Sequence, residues 1–332
     1  MAFTFSEASG LAKSIYGDCQ MPIKMFLTKR GEEMEKNSIL KDVFAMGTSD
    51  NFGDMLTGMT AMDGFDPVGE NGAYPGDSMQ EGYQKLIKYE TWKDSFSISK
   101  EMIEDSKILD MSKQPEQFMQ GYQRTREKFG AALYGAAIAG QTSTVYRKHT
   151  FDTACADGMP LFHTAHKPKV FGPDQSNCFS NAFSAKNLGY VETAMQNFCG
   201  ENGEILEVAP DTILIPNDAD LKYDVFAAIG ADKEPTTANN AFNYQYGRWN
   251  IIVWPYLNQF IPTGIKPWIL MDSKFNKLYQ GAVWNDRVQL DVRSTIDDNT
   301  DANVWRGRSR FNAVFNDWRF AAVGGITGAT TI

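Results

Sequence analysis

The chain has 332 residues, of which 42% are hydrophobic, 13% aromatic and 22% charged, and its formal net charge is −9. This balance excludes a disordered polar chain, and the length exceeds what one compact core usually holds, so two lobes plus extensions are expected. An acidic total without a basic domain or stripe argues against a sequence-specific nucleic-acid binder.

Residues 1–45 mix apolar and charged side chains without a self-sufficient core, so they are expected to form an arm that lies on something else. Residues 50–82 follow as a glycine-punctuated loop rich in Asp, Asn and Met, and a loop of this length is usually functional. The stretch 83–102 reads as one long strand, which would reach well beyond the length of a usual strand and project from the body or cross a subunit boundary. Residues 115–139 are the clearest helix. Pro115 would sit in its first turn and Gly140 past its end, with a stripe of Phe118, Tyr122, Thr125, Phe129, Leu133 and Ala136.

After the loop-rich 141–183, residues 184–199 read as an amphipathic helix with Ser184 as N-cap. Across 205–275 the pattern is strand, helix, strand, strand. The helix there places Leu221, Val225, Phe226 and Ile229 on one side, and the whole describes a second lobe. In the closing stretch Val288, Leu290 and Val292 alternate with polar residues, and Phe311, Ala313 and Phe315 share a face, as antiparallel strands with one buried side do.

Few residues offer chemistry. Cys19, Cys155, Cys178 and Cys199 form no CxxC pair, which points to free thiols in a reducing compartment. His163 and His166 with Cys155 and Cys178 could be drawn as a zinc site, but paired close spacings are missing, and hydrogen-bonded loop histidines are the commoner case. Cys155 with His163 is the sharpest enzyme idea, though it lacks a recognisable orienting third group. There is no Walker A sequence, no GxGxxG after a strand, no secretory signal in MAFTFSEASG and no apolar run of membrane-spanning length. Among basic clusters, Lys29–Arg30 and the alternating Arg306, Arg308 and Arg310 stand out. The arginines are expected either to bridge to the acids of 297–301 across strands or to meet a neighbouring subunit or packaged DNA, the subunit being preferred because Arg suits bidentate carboxylate contact. No catalytic, cofactor-binding or metal-binding residue is assigned.

Three stretches carry a resemblance. YETWKDSFSISKEMIEDS at 89–106 resembles the segment of phage major capsid proteins in which a hairpin's return strand enters a helix after an I-S-[KR]-E step. DGMPLFHTAHK at 157–167 is similar to the G-x-P-L-F…H segment of Mu-like major head subunits, and RGRSRFNAVFNDWRFAAVGG at 306–325 resembles their closing strands. Together the likeness spans about 40–325 and is to the tailed-phage capsid proteins of HK97-type fold.

The resemblance implies an α+β subunit with an N-terminal arm at 1–51 and an E-loop hairpin at 52–92. A peripheral domain would take 93–199 with a spine helix at 115–139, an axial domain 200–281, and peripheral closing strands 282–332. It further implies self-assembly into hexamers and pentamers of an icosahedral shell around double-stranded DNA, held by non-specific proximity. Portal, scaffolding or decoration proteins are implied as partners, with no membrane, no cofactor and no enzymatic role. The subunit would belong to the virion capsid and assemble in the host bacterial cytoplasm. A mildly acidic wall suits DNA that must slide past without sticking. The chain opens on Met with no scaffolding segment before the arm, so scaffolding is expected to be separate or already gone. The alternatives are an encapsulin-like nanocompartment shell and a Cys/His hydrolase. Residues 52–92 are expected to find their packing partner on another copy.

Overall fold

The computed structural model describes residues 4–5, 25, 27–33, 36–59, 67–70, 72–74, 76, 81–105, 108–170, 172–201, 203–230 and 243–331. Its frame is a 16-residue strand, β11 (Ala282–Asp297), paired antiparallel with the 14-residue β12 (Ala302–Phe315) from Ala282↔Phe315 to Asp297↔Ala302. Both exceed the common strand length of about 5–6 residues, and the register shifts near Val288 let so long a ribbon bend. β5 (Glu90–Ile98) pairs with β12 on its far side. β1 (Thr4–Phe5) and β2 (Ala45–Thr48) run parallel to β11 on its other edge.

Against this sheet lies the 31-residue helix α4 (Ile108–Ile138). It starts a turn and more before the expected 115, so Pro115 sits inside it rather than in its first turn. Its last ten residues, FGAALYGAAI, are buried all round because alanine and glycine let other segments approach closely. A Cβ at Gly135 would stand 2.4 Å from the Cβ of Phe260, the residue just after the 3-10 turn Pro255–Gln259. Where sheet and helix meet, Trp92 stacks on Phe311 (5.0 Å between ring centroids, 6° between planes) and on Phe151 (5.9 Å, 8°), with Phe129 and Trp284 closing the cluster. Such contacts contribute about 0.5–1.5 kcal/mol each beyond area burial.

The second sheet has the order β13 (Ala321–Gly324), β10 (Trp268–Met271), β8 (Thr212–Pro216), β9 (Asn250–Trp254). Every residue of β8, β10 and β13 is buried, which explains their near-continuous apolar runs. α6 (Ala219–Ile229) lies between the parallel strands β8 and β9 in the chain. It buries Leu221, Val225, Ala228 and Ile229. Phe226, expected on that face, is 51% exposed, a correction that follows from the 100° step, which carries it past the edge of the stripe. α5 (Ala185–Gln196) is capped as expected, with Ser184 Oγ accepting from Asn187 N at 3.1 Å.

Two further expectations are corrected. The single strand 83–102 does not form: it breaks at Tyr89 into β4 (Glu81–Lys88), which leaves the main sheet, and β5, which stays in it. Nor do Arg306, Arg308 and Arg310 bridge to 297–301. Those acids occupy the β11–β12 turn, whereas the register sets Arg306 opposite Arg293 and Arg308 opposite Asp291.

Helix and sheet are joined by a buried ion pair. Arg126 of α4 donates from Nη1 and Nη2 to the two oxygens of Asp286 at 2.7 and 3.0 Å. The guanidinium lies 4.8 Å from the Trp284 ring centroid and 5.0 Å from that of Phe311. Both side chains are more than nine-tenths buried, so removing one charge strands the other. Arg126→Met should cost the unassembled subunit about 3–5 kcal/mol in urea denaturation; a cost under about 1 kcal/mol would show that the pair is not what joins the layers.

Candidate assembly surface

Two parts of the chain extend from the frame, and both are held at their roots by polar side chains. The first is the hairpin β3 (Gly53–Met59)–β4, paired from Gly53↔Lys88 to Met59↔Glu81. Its period of two gives it two faces. Leu56 and Ile87 turn inward and join Tyr89, Val283 and Val314 in a small apolar cluster. Lys85 shares that face, is buried, and donates from Nζ to Asp152 Oδ2 at 2.5 Å. On the other face Met55 and Leu86 are direct cross-strand partners, and both stand in solvent at 57% and 44% exposure; Phe52, just before β3, is 73% exposed.

The root of the hairpin is the break at Tyr89. Its hydroxyl donates to Asp54 Oδ2 and accepts from Asn285 Nδ2 at 3.2 Å. Hydrogen bonds from Ser49, Tyr89 and Asn51 hold the Asp54 carboxyl below its ordinary value, while burial and the Asp54 contact push the Tyr89 phenol up. The neighbouring carbonyls are taken as well: Asn312 Nδ2 donates to Lys88 O at 2.7 Å and Arg310 Nη2 to Tyr89 O at 3.3 Å. Further out, the stem crosses residues 316–319, with Gly58, Gly82 and Tyr83 facing Asp157, Asp317 and Arg319 across a cleft. Lys169 Nζ donates to Gly82 O at 2.9 Å. The two strands meet so closely here that a Cβ on Gly82 would stand 2.6 Å from the Gly58 carbonyl oxygen. The stem of 52–92 therefore packs on its own subunit, which corrects the expectation that the segment finds its partner only on another copy. Residues 60–66, 71, 75 and 77–80 of that segment lie outside the described residues.

The second extension is the arm. Helical residues 27–33 place Leu27 beside Phe118, Met119, Leu290, Val292 and Trp305. Where the arm reaches the core, Ser38 Oγ and Ile39 N both donate to Glu127 Oε1 of α4, at 2.7 and 3.1 Å. Glu127 is buried, and burial holds its carboxyl above the ordinary value despite those hydrogen bonds.

The residues examined for chemistry do not converge. His166 is fully buried, its Nδ1 2.6 Å from Asp157 Oδ2 and its ring stacked on Trp318 at 4.3 Å. His163 Nδ1 accepts from Ala165 N at 3.1 Å. Cys155 is buried, and burial pushes its thiol well above the ordinary value, the reverse of an activated nucleophile. Cys178 is pushed up to about 11 by the same cause. Cys199 is half-buried, and Cys19 lies outside the described residues. Among the described residues no group of three or more His, Cys, Asp or Glu side chains is placed to hold a metal ion, and no helix is long and apolar enough to cross a membrane. Lys29 and Arg30 stay at the surface, Arg30 pairing with Glu33 at 2.9 Å and Glu116 at 3.2 Å. The exposed apolar face of the hairpin carried no signal a sequence motif could reveal, because the same alternation would serve a buried sheet.

The profile of the phage capsid protein family matches residues 82–324. The capsid structure of the cyanophage P-SCSP1u aligns with a TM-score of 0.53 at 10% identity, covering 89% of each chain. A Mycobacterium phage Patience structure aligns at 0.51 and 12% identity, covering 100% of this chain and 94% of that one. The capsid of Ralstonia phage GP4 aligns at 0.51 and 10% identity, covering 86% and 90%. At these identities the likeness is one of fold. No curated protein sequence matches the chain.

The arm anchor makes a pH prediction. An acid whose folded pKa is raised favours the folded state below its unfolded value of about 4.3, and that advantage is lost as pH rises through the folded value. Glu127→Gln removes this titration but keeps an acceptor for Ser38 and Ile39. Whatever its offset, the stability of E127Q relative to the parent should rise between pH 4 and pH 8 in urea denaturation. Parallel pH profiles for the two proteins would rule the assignment out.

Proposed function

Because the chain belongs to the phage capsid protein family, we propose that its copies close into hexamers and pentamers of an icosahedral shell, each laying the hairpin of residues 52–92 on a neighbour as an E-loop. That the chain is a tailed-phage major capsid protein of HK97-type fold, part of the virion shell and structural in role, follows from the family match and the fold of its neighbours. The finer assignment is our reading. The arm is 1–51, the peripheral domain comprises 93–199 and 282–332 with α4 as its spine, and the axial domain is 200–281. The shell encloses double-stranded DNA held without specific contacts, grows in the host bacterial cytoplasm, and takes a portal and scaffolding or decoration proteins as partners. An encapsulin-like compartment is not favoured by the family, and a Cys155/His163 hydrolase is not favoured by a buried thiol with a raised pKa.

One observation carries the proposal: a hairpin pinned at its root presents Phe52, Met55 and Leu86 to solvent. Large apolar side chains on a projecting, anchored ribbon are stabilised by covering, and a second copy supplies the cover. Such contacts are head-to-tail. They generate a ring when the rotation between copies closes and a curved surface when rings meet. Each contact alone can be small, below the ~1,200–2,000 Å² of a stable dimer, because a closed shell needs every copy to make several at once.

Met55→Asp with Leu86→Asp places two charges on the exposed face and leaves Leu56, Ile87 and the root untouched. The expected outcome is a soluble subunit with the parent's circular dichroism and melting temperature but no shells by electron microscopy, where the parent chain forms them. Shells at the parent's yield from the double variant would remove the hairpin from the assembly contact.

A further inference from the structure

The main sheet carries a charged face that the hairpin contact does not use. Registration sets Lys93, Arg308 and Asp291 in one cross-strand row of β5, β12 and β11, and Ser95, Arg306 and Arg293 in the next. These side chains share one side of the sheet and, with Asp94, line an open groove of about 520 Å³. Arg293 Nε is held by Asp291 Oδ2 at 3.1 Å. Among the described residues Lys93, Arg306 and Arg308 take no side-chain hydrogen bond or ion pair, and all three are exposed. Four cations against two acids make this a basic face on a chain whose net charge is −9.

The complementary charge is in the same sequence. Between Lys41 and Lys85 there is no lysine or arginine, and the turn region of the hairpin, residues 60–80, carries Asp63, Asp66, Glu70 and Asp77. The arm residues 6–24 offer no such excess, since Glu7 and Asp18 are balanced by Lys13 and Lys24. The described stem of a chain's own hairpin also leads away from its own groove. The stem leaves the sheet at Tyr89 and crosses residues 316–319, whereas the groove lies at Arg306–Arg308, about 27 Å back along the strand at ~3.3 Å per residue.

We infer that the Lys93–Arg306–Arg308 groove receives the acidic 60–80 segment of a second copy. This rests on the shell reading and names the partner residues of one of its contacts. Arginine favours carboxylates in a fork geometry, and the interleaved Asp94 and Asp291 repel a continuous phosphate backbone while leaving room for spaced carboxylates. Charge pairing of this kind sets register and encounter rate more than affinity, so the apolar hairpin face and the groove have separate tasks.

Charge exchange tests it on the full chain. Arg306→Glu with Arg308→Glu, and separately Asp63→Lys with Asp66→Lys, should each cut shell yield at least tenfold with melting temperature unchanged. All four substitutions in one chain should restore shells. Parent shells in the same preparations separate failure of this pairing from failure of the shell reading. Parent-level yield from R306E/R308E, or no restoration in the fourfold variant, overturns the pairing. Normal shells from R306E/R308E that package less DNA assign the groove to the genome instead, and overturn it as well.

Discussion

Tyr89 is the point at which one apolar-polar alternation becomes two structural elements. On its C-terminal side β5 completes the main sheet against β12, and on its N-terminal side β4 departs with β3. Nothing in the backbone of a strand forces such a departure, since an extended chain would continue as an edge. Here a buried hydroxyl shared by Asp54 and Asn285, with the carbonyls of Lys88 and Tyr89 taken by Asn312 and Arg310, fixes where the ribbon leaves. Freed from the sheet edge, those carbonyls would cost about 1–3 kcal/mol each if left buried without partners. The direction of the hairpin stem, the exposure of its outer face and the separation of that stem from the basic groove all descend from that set of hydrogen bonds.

The fixed root matters only if the body behind it is rigid. Two buried ion pairs and one buried hydrogen bond supply part of this. Arg126 with Asp286 ties α4 to β11, Arg319 Nη2 with Glu201 Oε1 at 2.9 Å ties the segment after β12 to the 200 region, and His166 with Asp157 closes the loop against Trp318. Buried ion pairs of this kind contribute little net stability against a hydrophobic substitute, but a misplaced one is costly. Their effect is to penalise alternative packings of helix, sheet and loop.

Much of the frame was legible in the letters. The alternation of Phe311, Ala313 and Phe315, the apolar blocks of β8 and β10, and the Ser184 cap each follow from one local rule, and the structure places them accordingly. The failures share a different character. The break at Tyr89 depends on side chains more than 190 residues away in sequence, Asn285, Arg310 and Asn312, which no periodicity reports. The early start of α4 escaped because Pro115 reads as a first-turn residue, although the helix continues through it. The cross-strand neighbours of the arginines escaped because strand register was unknown: a shift of a few positions sets Arg308 opposite Asp291 instead of the turn acids.

Register also bears on how a shell subunit can be both adhesive and discriminating. The hairpin face is apolar and tolerant of small rotations, since dispersion contacts fall off gently with angle. A row of cations spaced by the sheet is less tolerant. Cross-strand neighbours about 5 Å apart accept carboxylates only at matching intervals, and like charges brought together by a wrong rotation repel. If the two contacts act together in the proposed shell, the apolar face supplies most of the attraction and the charged groove selects among the angles it permits. A subunit with only the first would associate into arcs of varied curvature, and one with only the second would bind too weakly to close. The groove lies on the main sheet and the apolar face on the hairpin that leaves it at Tyr89, so the angle between them is set by the fold of the single chain before any neighbour arrives.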